Sequence, residues 1–444
     1  MMTNVETRLI TPVKAPIRGV AFVPGSKSIT NRALALAALS DGVTALTGAL
    51  FADDTLRMRE CLTALGFVVE AEETSQTMTV QGRGGIISAT AAELFVGNSG
   101  TTARFVTPLA ALGHGTYTLD GVPRMRERPM GDLLSALTAL GVDAESLSGN
   151  GCPPIRVHAK GLQGGTCSIR ADSSSQFLSG LLLASPCAEG VRTQIHVEGP
   201  ILSAPYISMT VQMARAFGGV IDDSVDGRIY EIPGRQRYSS PHVYAIEPDA
   251  SAATYFWAAA AITGGCVRVQ GIGKDAMQGD VEFVNILEDM GCKVTRSDDF
   301  IEVEYVGRLH GGTWDMNAIS DTVMTLAAVA PFADSPTVIE NVAHIRHKET
   351  DRLHAVAVEL TKLGVRVEER DSGMTIYPES KMKPAIIHTY DDHRMAMAFA
   401  LIGLRVPGVT IADPDCVAKT FPDYFMRLDQ LAAGATGYNE LDEK

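Results

Sequence analysis

Basic residues of this chain cluster where polar turns lead into apolar segments. Lys27 and Arg32 belong to one such segment, PGSKSITNRAL, and Arg104 closes the similar run GNSGTTAR. Arginine binds carboxylates and phosphates through two parallel hydrogen bonds, and lysine acts as a point charge. In a chain with a net charge of −14, such clusters predict a site for a ligand with several negative charges. Further basic residues of this kind are Arg124, Arg126, Arg128, Arg346, Lys348, Arg352, His393, Arg394 and Lys419.

Two carboxylates lie among these cations and are candidates for proton transfer. Asp321 opens a predicted helix, and Glu349 directly follows Lys348. Acidic side chains at a helix start commonly cap it, so a structural role stays open for both. A catalytic role requires that they lie close to the anion site. For Arg124 and Arg126, a role as solvated surface charges also stays open.

The Gly-Ser-Lys-Ser turn before the first helix is not a nucleotide-binding P-loop. That motif, GxxxxGK[ST], requires two glycines, and Ala21 and Ser26 occupy their positions. Lys27 is therefore interpreted as part of the anion site.

Two repeating patterns supply the elements that must position these residues. In the first, a helix ends in Leu-Gly or a close variant and a β-branched run follows, which predicts a helix end at glycine and then a strand. In the second, a polar cluster precedes a small, apolar helix, which predicts a capped and buried helix. The first pattern occurs at Gly66, Gly141, Gly218, Gly291, Gly364 and, in a weaker copy, Gly434; the second starts at Ser26, Asn98, Ser173, Asp249, Ser320 and Asp391.

Each pattern recurs at intervals of 70 to 77 residues. The chain is therefore interpreted as six units of about 74 residues, each with two helices and several strands. If the six buried helices share an orientation, their N-termini converge. Helix N-termini carry partial positive charge and free N–H groups, so such a region would bind anions.

Bulk properties restrict the class of protein. The 444 residues predict two domains, and 45% hydrophobic with 20% charged residues is typical of a soluble globular protein. No apolar run reaches the roughly 18 residues that a membrane span needs, and the acidic balance disfavours nucleic acid. Seven scattered cysteines without a CxxC pair argue against a zinc site or disulfide framework. Since the first residues also lack a signal or transit peptide pattern, a cytoplasmic protein is expected.

Eight ordered motifs lie between about residue 20 and residue 428. They are PGSKSITNRAL, GNSGTTAR, GVPRMRERP, SSQFLSGLL, GDVEF, KETDRL, DDHRMAM and AKTFPDYF. Together they resemble the motifs of 5-enolpyruvylshikimate-3-phosphate (EPSP) synthases. The resemblance implies an α/β fold: a two-domain, inside-out α/β barrel with six βαβαββ-type repeats, three per domain. Residues 24–245 would form one domain and residues 1–23 plus 246–444 a discontinuous one, with the active site in the interdomain cleft.

The resemblance also implies the reaction and its residues. The enolpyruvyl group of phosphoenolpyruvate would pass to the 5-hydroxyl of shikimate 3-phosphate by addition and elimination, in a monomer that needs neither a cofactor nor a metal. Asp321 would be the base and Glu349 or Lys27 the general acid. Shikimate 3-phosphate would contact Lys27, Ser28, Arg32, Ser174, Ser175, Gln176, Ser203, Tyr206, Asp321 and Lys348. Phosphoenolpyruvate would contact Lys27, Gly100, Arg128, Gln176, Arg352, Arg394 and Lys419.

Two positions depart from the family pattern. The family form GNAGTAMRP reads GNSGTTARF here, so that Phe105 replaces proline. This helix start is expected close to phosphoenolpyruvate and to its competitor glyphosate, and altered glyphosate sensitivity, towards tolerance, is the hypothesis. His344 stands where the family usually has asparagine near the 3-phosphate, which puts one phosphate contact in question.

Two alternative functions remain. A UDP-N-acetylglucosamine enolpyruvyl transferase would share fold and chemistry, but its reactive cysteine is missing from the loop 113–128. A non-catalytic anion-binding module would hold the same ligands without turnover. The combination of Asp321, Glu349, Lys27 and Lys419 argues against it.

Overall fold

The structure, a computed structural model, describes residues 6–172 and 174–434. The chain divides into two compact units. We call residues 25–246 the contiguous unit and residues 1–24 with 247–444 the split unit. Within the described ranges, no helix is long and apolar enough to cross a membrane.

Two helices occur in each repeat, as the sequence patterns predict. In the described residues they are α1 Lys27–Leu39, α2 Asp53–Ala64, α3 Gly100–Ala110, α4 Gly131–Ala139, α5 Ser175–Ala184, α6 Ala204–Ala216, α7 Ala250–Thr263, α8 Phe283–Asp289, α9 Val323–Val329, α10 Arg352–Lys362, α11 His393–Gly403 and α12 Tyr424–Ala432.

Short strands separate the helices. In the described residues they are β1 Thr7–Leu9, β2 Arg18–Ala21, β3 Ser40–Thr47, β4 Val68–Glu72, β5 Thr77–Arg83, β6 Ala91–Phe95, β7 His114–Asp120, β8 Asp143–Ser146, β9 Ile155–Lys160, β10 Gly165–Arg170, β11 Arg192–Glu198, β12 Asp222–Asp223, β13 Ile229–Pro233, β14 Tyr238–Ser239, β15 Val243–Ala245, β16 Cys266–Gln270, β17 Cys292–Arg296, β18 Phe300–Tyr305, β19 Thr313–Asp315, β20 Thr337–Glu340, β21 Val367–Arg370, β22 Gly373–Ile376, β23 Ile386–Ile387 and β24 Thr410–Ala412.

One sheet belongs to each repeat, and the second repeat shows the pattern most clearly. Its strand order is β6-β7-β9-β8, with β6 parallel to β7 and the other two pairs antiparallel. Helix α3 connects the parallel pair, which needs such a crossover, and α4 leads into the β8–β9 hairpin. This is the predicted βαβαββ unit. The other sheets run β14-β3-β5-β4 with β15 also on β3, β10-β11-β13-β12, β17-β18-β16-β2, β19-β20-β22-β21 and β1-β24-β23.

The first, fourth and sixth repeats complete their sheets with strands from elsewhere in the chain. Strand β1, near the N-terminus, pairs antiparallel with β24 of the sixth repeat. Strand β2, near the N-terminus, pairs in parallel with β16 of the split unit. Strands β14 and β15, which end the contiguous unit, pair in parallel with β3. The chain therefore passes from the split unit to the contiguous unit after Pro24 and returns after Ile246.

Three buried helices form the core of each unit, and the sheets cover them. Helices α1, α3 and α5 pack on one another in the contiguous unit, and α7, α9 and α11 do so in the split unit. Every residue of α7 and of α11 is buried. The all-apolar pattern of these helices predicts this burial, and the structure confirms it.

Glycine ends the second helix of each repeat. Gly66 and Gly364 have φ angles of +97° and +90°, in the left-handed region that glycine adopts without a Cβ clash. The other four glycines of this pattern also have positive φ, so the prediction of a helix end at these positions is confirmed.

The predicted helix starts need small corrections. Ser26 and Asp249 cap α1 and α7 with their side chains, as predicted. In the second and sixth copies the caps lie one residue later, at Ser99 and Asp392, because these side chains accept the free N–H groups. The caps of α5 and α9 also differ from the predicted starts. Ser173 lies outside the described residues, Ser174 caps α5, and a 3-10 turn, Ser320–Thr322, precedes α9.

Candidate active site

The starts of four helices lie together in the contiguous unit. Lys27 begins α1, and its Nζ is 3.6 Å from Oδ2 of Asp54, which lies in the first turn of α2 and is 2% exposed. Thr102, in the first turn of α3, donates its hydroxyl to the Asp54 carbonyl over 3.2 Å. Gln176 of α5 donates to the Thr101 hydroxyl over 3.2 Å. The predicted convergence of helix N-termini is therefore found within this unit, and it favours an anion.

Two buried arginines cover the first turn of α3. A Cβ built on Gly100 would lie 2.4 Å from Nη2 of Arg128 and 2.7 Å from Nη1 of Arg104. Arg128 donates to the carbonyl of Asn98 over 3.0 Å, and Arg104 donates to that of Pro129 over 3.0 Å. These bonds fix both guanidinium groups against a helix N-terminus. A side chain at position 100 would therefore displace at least one of the two guanidinium groups.

Arg32 is engaged within the contiguous unit. Its side chain, 1% exposed, donates to the hydroxyls of Thr210 and Ser179 over 2.7 and 3.3 Å. It also donates to the carbonyls of Ser28 and Tyr206 over 3.0 and 3.1 Å. Burial lowers the pKa of Arg32 to about 10. These contacts join α1, α5 and α6, so Arg32 has a clear packing role, while its predicted contact with a substrate carboxylate stays a prediction.

The remaining predicted residues of this unit lie at the starts of α5 and α6. Ser174 caps α5, and Ser175 follows it in the first turn. Ser203 precedes α6 with a φ of +51°, and Tyr206 lies in the first turn of α6. The N–H of Leu202, just before α6, donates to the carbonyl of Ala171, just before α5, over 3.4 Å. The three serines therefore belong to neighbouring helix starts, a favourable place for a phosphate.

Arg352 is the centre of a second polar group, in the split unit. It is 1% exposed and donates to Asp392 over 2.7 Å, to Glu349 over 2.8 Å and to Asp321 over 3.1 Å. Burial by itself lowers the pKa of Arg352. The three carboxylates stabilise the cation more strongly, so that this pKa lies above its ordinary value. The starts of α10 and α11 and the turn before α9 are thereby joined.

Asp321 lies among three cations. Arg394 donates to its Oδ2 over 2.7 Å, Arg352 donates to its Oδ1, and Lys348 Nζ is 3.6 Å from the same oxygen. The cap residue of α9 is Thr322, which makes no side-chain cap bond. Asp321 is therefore not the cap of α9. A carboxylate oxygen held by these cations can serve as a base towards a hydroxyl group.

Lys419 and Lys348 complete the cationic side of the split unit. Lys419 ends the 3-10 turn Pro414–Lys419, which packs on α11, and it is buried. Burial raises the pKa of Asp391, and the charge of Lys419 partly offsets that rise. Lys348 follows the 3-10 turn Ala343–His347.

The other basic residues singled out above lie in different surroundings. Arg124 and Arg126 form exposed ion pairs with Glu127 and Asp120, as expected of solvated surface charges. Arg346 pairs with Asp351 and Glu369.

Sequence reasoning did not single out several acidic partners of the site. Asp54, Asp392 and Asp280 are all buried, and each lies beside a predicted site residue or its hydrogen-bond partner. Asp280 and Asp392 belong to the motifs GDVEF and DDHRMAM, but the sequence alone assigns no role to them, because an acidic residue at or just before a predicted helix is also typical of solvated caps. These side chains face the interior only because of the way the repeats fold and pack.

His344 is buried, 6% exposed, and neither ring nitrogen has a hydrogen-bond partner. Burial, and then the charge of Lys348, lower its pKa to about 3. The imidazole is therefore neutral at neutral pH. It differs from the expected asparagine in shape and hydrogen bonding rather than in charge.

Replacing His344 by Asn should make folding less sensitive to acid. An unfolded histidine takes up a proton as the pH falls below 6.5, whereas His344 in the folded chain stays neutral down to about pH 3. The wild type should therefore lose about 2 kcal/mol more of its free energy of unfolding between pH 7 and pH 5 than His344→Asn. Urea unfolding at both pH values measures this.

The control is His347→Asn, which changes an exposed histidine of the same 3-10 turn. Its acid sensitivity should equal that of the wild type. Equal losses in wild type and His344→Asn would contradict the assignment of a buried neutral imidazole.

Comparisons with known proteins identify the family of this chain. Residues 12–428 match the family model described as EPSP synthase (3-phosphoshikimate 1-carboxyvinyltransferase). The 3-phosphoshikimate 1-carboxyvinyltransferases of Nostoc punctiforme and Trichormus variabilis are 49% and 48% identical to this chain, covering 96% and 95% of it and 99% and 98% of their own lengths.

Solved structures of other proteins share the fold of this chain. EPSP synthase from Acinetobacter baumannii superposes with a TM-score of 0.80 at 26% identity, over 96% of this chain and 98% of that one. The enolpyruvyl transferase NikO from Streptomyces tendae, at 19% identity and a TM-score of 0.75, shares the fold over 96% of this chain and 98% of its own. The two-domain inside-out α/β architecture is thus confirmed. Since the family model spans nearly the whole chain and its relatives are nearly half identical, the chain belongs to the EPSP synthase family.

Proposed function

We propose that the chain transfers the enolpyruvyl group of phosphoenolpyruvate to the 5-hydroxyl of shikimate 3-phosphate and releases phosphate. The observation that carries this proposal is Asp321, a carboxylate held by Arg352 and Arg394 within one cluster of cations. Both substrates carry a phosphate and a carboxylate. A site for them needs several fixed cations and one carboxylate base, and the split unit has both.

The reaction is an addition followed by an elimination. Asp321 takes the proton of the 5-hydroxyl group of shikimate 3-phosphate. The oxygen of this hydroxyl group bonds to C2 of phosphoenolpyruvate, and C3 of phosphoenolpyruvate gains a proton from the general acid. The C2–O bond to phosphate then breaks, phosphate leaves, and the new methyl group loses a proton. Charge builds on the phosphate and carboxylate groups, and fixed cations stabilise it without reorganising.

Two residues are candidates for the acid that protonates C3. Lys27 carries a proton on Nζ, 3.6 Å from Asp54. Glu349 is the other candidate, and its Oε2 accepts a hydrogen bond from Arg352 over 2.8 Å.

The substrates divide among the residues as follows. The 3-phosphate of shikimate 3-phosphate binds Ser174, Ser175, Ser203 and Lys348, and the rest of that substrate contacts Lys27, Ser28, Arg32, Gln176, Tyr206 and Asp321. Phosphoenolpyruvate binds Lys27, Gly100, Arg128, Gln176, Arg352, Arg394 and Lys419. In this proposal the contiguous and split units are two domains that act on the same substrates.

We further propose that the protein works as a monomer in the cytoplasm. The seven cysteines are all free thiols, which suits a reducing compartment.

Phosphate release from phosphoenolpyruvate tests the function directly. Release should require shikimate 3-phosphate. Release with UDP-N-acetylglucosamine instead would identify the other enolpyruvyl transferase. Binding of shikimate 3-phosphate without any release would leave a non-catalytic anion-binding module.

Replacing Gly100 by Ala should weaken phosphoenolpyruvate binding. The new methyl group would lie 2.4 Å from Arg128 and 2.7 Å from Arg104, so at least one guanidinium group must move. A cost of about 1–3 kcal/mol in the site corresponds to a rise of about fivefold to 150-fold in KM for phosphoenolpyruvate. Steady-state kinetics at saturating shikimate 3-phosphate measures it.

The matched control is Gly131→Ala, since Gly131 is likewise the first residue of a helix and its Cβ would meet nothing closer than 4.0 Å. This variant should keep the wild-type KM. Similar KM values for Gly100→Ala and the wild type would exclude Gly100 and its arginines from the phosphoenolpyruvate site.

We propose that the start of α3 also reduces glyphosate sensitivity. Ser99 and Thr102 share a hydrogen bond of 2.8 Å, and the Arg32 guanidinium lies 5.0 Å from the centre of the Phe105 ring. A variant with the family residues, Ser99→Ala, Thr102→Ala, Ala103→Met and Phe105→Pro, should need less glyphosate for half inhibition than the wild type. Equal inhibition curves would overturn this proposal.

A further inference from the structure

A second buried carboxylate reaches Arg394 through a serine. Asp280 lies in the 3-10 turn Gly279–Glu282 and is 2% exposed. The hydroxyl of Ser251, in the first turn of α7, donates to its Oδ2. The same hydroxyl oxygen is 3.5 Å from Nη2 of Arg394, which donates to Asp321 over 2.7 Å. Asp280, Ser251, Arg394 and Asp321 thus form one continuous polar chain.

The turn that carries Asp280 is fixed against α7. The side chain of Gln278 accepts the N–H of Ala250 over 3.0 Å and donates to the carbonyl of Pro248 over 2.7 Å. These bonds already hold the start of α7. The carboxylate of Asp280 is therefore an additional buried charge beside the site, beyond what this attachment needs.

We propose that Asp280 is a positioning residue, which fixes the guanidinium of Arg394 through Ser251 and sets, by its charge, how strongly this part of the site binds an anion. The inference rests on the roles proposed for Arg394 and Asp321. Arg394 lies between two carboxylates. Asp321 accepts a hydrogen bond from it directly, and Asp280 is linked to it through the hydroxyl of Ser251. The position of Arg394 is thereby defined before any ligand binds.

The charge of Asp280 changes near neutral pH. Burial, and then the nearby charge of Asp321, raise its pKa to about 6, while Arg394 and the bond from Ser251 oppose the rise. Asp249, the cap of α7, also faces it, whereas Glu288 and Asp289 of the adjacent α8 are exposed. Above pH 6, the ionised Asp280 repels an incoming anion; below pH 6, its proton removes that repulsion.

Asp280→Asn separates charge from position, because the amide oxygen still accepts the Ser251 hydroxyl. Above pH 7, this variant should have a KM for phosphoenolpyruvate about tenfold below that of the wild type. The ratio of the two KM values should approach 1 as the pH falls below 6. Using the ratio cancels the titration of the ligand itself.

Ser251→Ala should act differently, since it keeps the charge and breaks the link to Arg394. It should raise KM for phosphoenolpyruvate at every pH. The control is Glu282→Gln, which removes an exposed carboxylate of the same turn and should change neither KM nor its pH dependence.

Two further measurements keep the inference testable without turnover. Calorimetric binding of inorganic phosphate should show the same pH-dependent ratio between Asp280→Asn and the wild type. In addition, a buried carboxyl whose folded pKa is raised contributes stability that is lost as the pH rises from about 4 to 6. Asp280→Asn should therefore melt at a higher temperature than the wild type at pH 7.5, and this difference should become smaller at pH 5 and disappear below about pH 4. A ratio of KM values or of phosphate affinities that does not change with pH would overturn the proposal. A wild type that releases no phosphate would instead contradict the proposed function.

Discussion

Replacing Asp321 by Asn should lower kcat by about 10²- to 10⁴-fold. The amide keeps the shape of the carboxylate but cannot take the proton of the 5-hydroxyl. Single-turnover phosphate release, with the enzyme in excess over phosphoenolpyruvate and with saturating shikimate 3-phosphate, measures the chemical step apart from product release. The loss should appear in that step even if KM also rises, because Asp321 is proposed to contact shikimate 3-phosphate as well.

The interpretation of this variant depends on its neighbours. Arg394 and Arg352 both donate to Asp321, so the amide NH₂ of Asn faces a guanidinium group on one side. Calorimetric binding of shikimate 3-phosphate therefore serves as the control, and it should still be measurable. If Asp321→Asn binds this substrate and releases phosphate at the wild-type rate, another group is the base.

Much of this fold follows from the repeats. The positions of the buried helices and their C-terminal glycines can be read from two patterns, because burial requires apolar side chains all round a helix and a left-handed residue favours glycine. The sequence predicts the cap residues only to within one position. At Asn98-Ser99 and Asp391-Asp392 two neighbouring polar side chains could each accept the free N–H groups, and only backbone geometry selects one.

The pairing within the site is not visible in the sequence. Arg352 with Asp392, and Ser251 with Asp280, are separated by 40 and 29 residues and lie on different elements. An acidic residue at a helix start has the same local sequence whether its side chain faces solvent or a buried arginine. Arg32 shows the same limit, because its contacts with Thr210 and Ser179 depend on how α1, α5 and α6 pack.

Arg352→Met should destabilise the folded protein by about 3–5 kcal/mol. Methionine fills much of the volume but leaves Asp392, Glu349 and part of Asp321 without their cation, and Asp392 is fully buried. Unfolding in urea at pH 7.5 measures the loss. It should shrink as the pH falls, because the uncompensated carboxylates can then take up protons.

Arg346→Met is the matched control for this prediction. Arg346 also pairs with two carboxylates, Asp351 and Glu369, but its side chain is 21% exposed. Water can therefore solvate its former partners, and the expected loss is only about 1 kcal/mol or less. A double substitution, Arg352→Met with Asp392→Asn, should recover part of the stability, because it removes one of the stranded charges. Equal losses in Arg352→Met and Arg346→Met would mean that the carboxylates around Arg352 are solvated after the substitution, and the cluster would then not be the dry, preorganised site that the proposed chemistry needs.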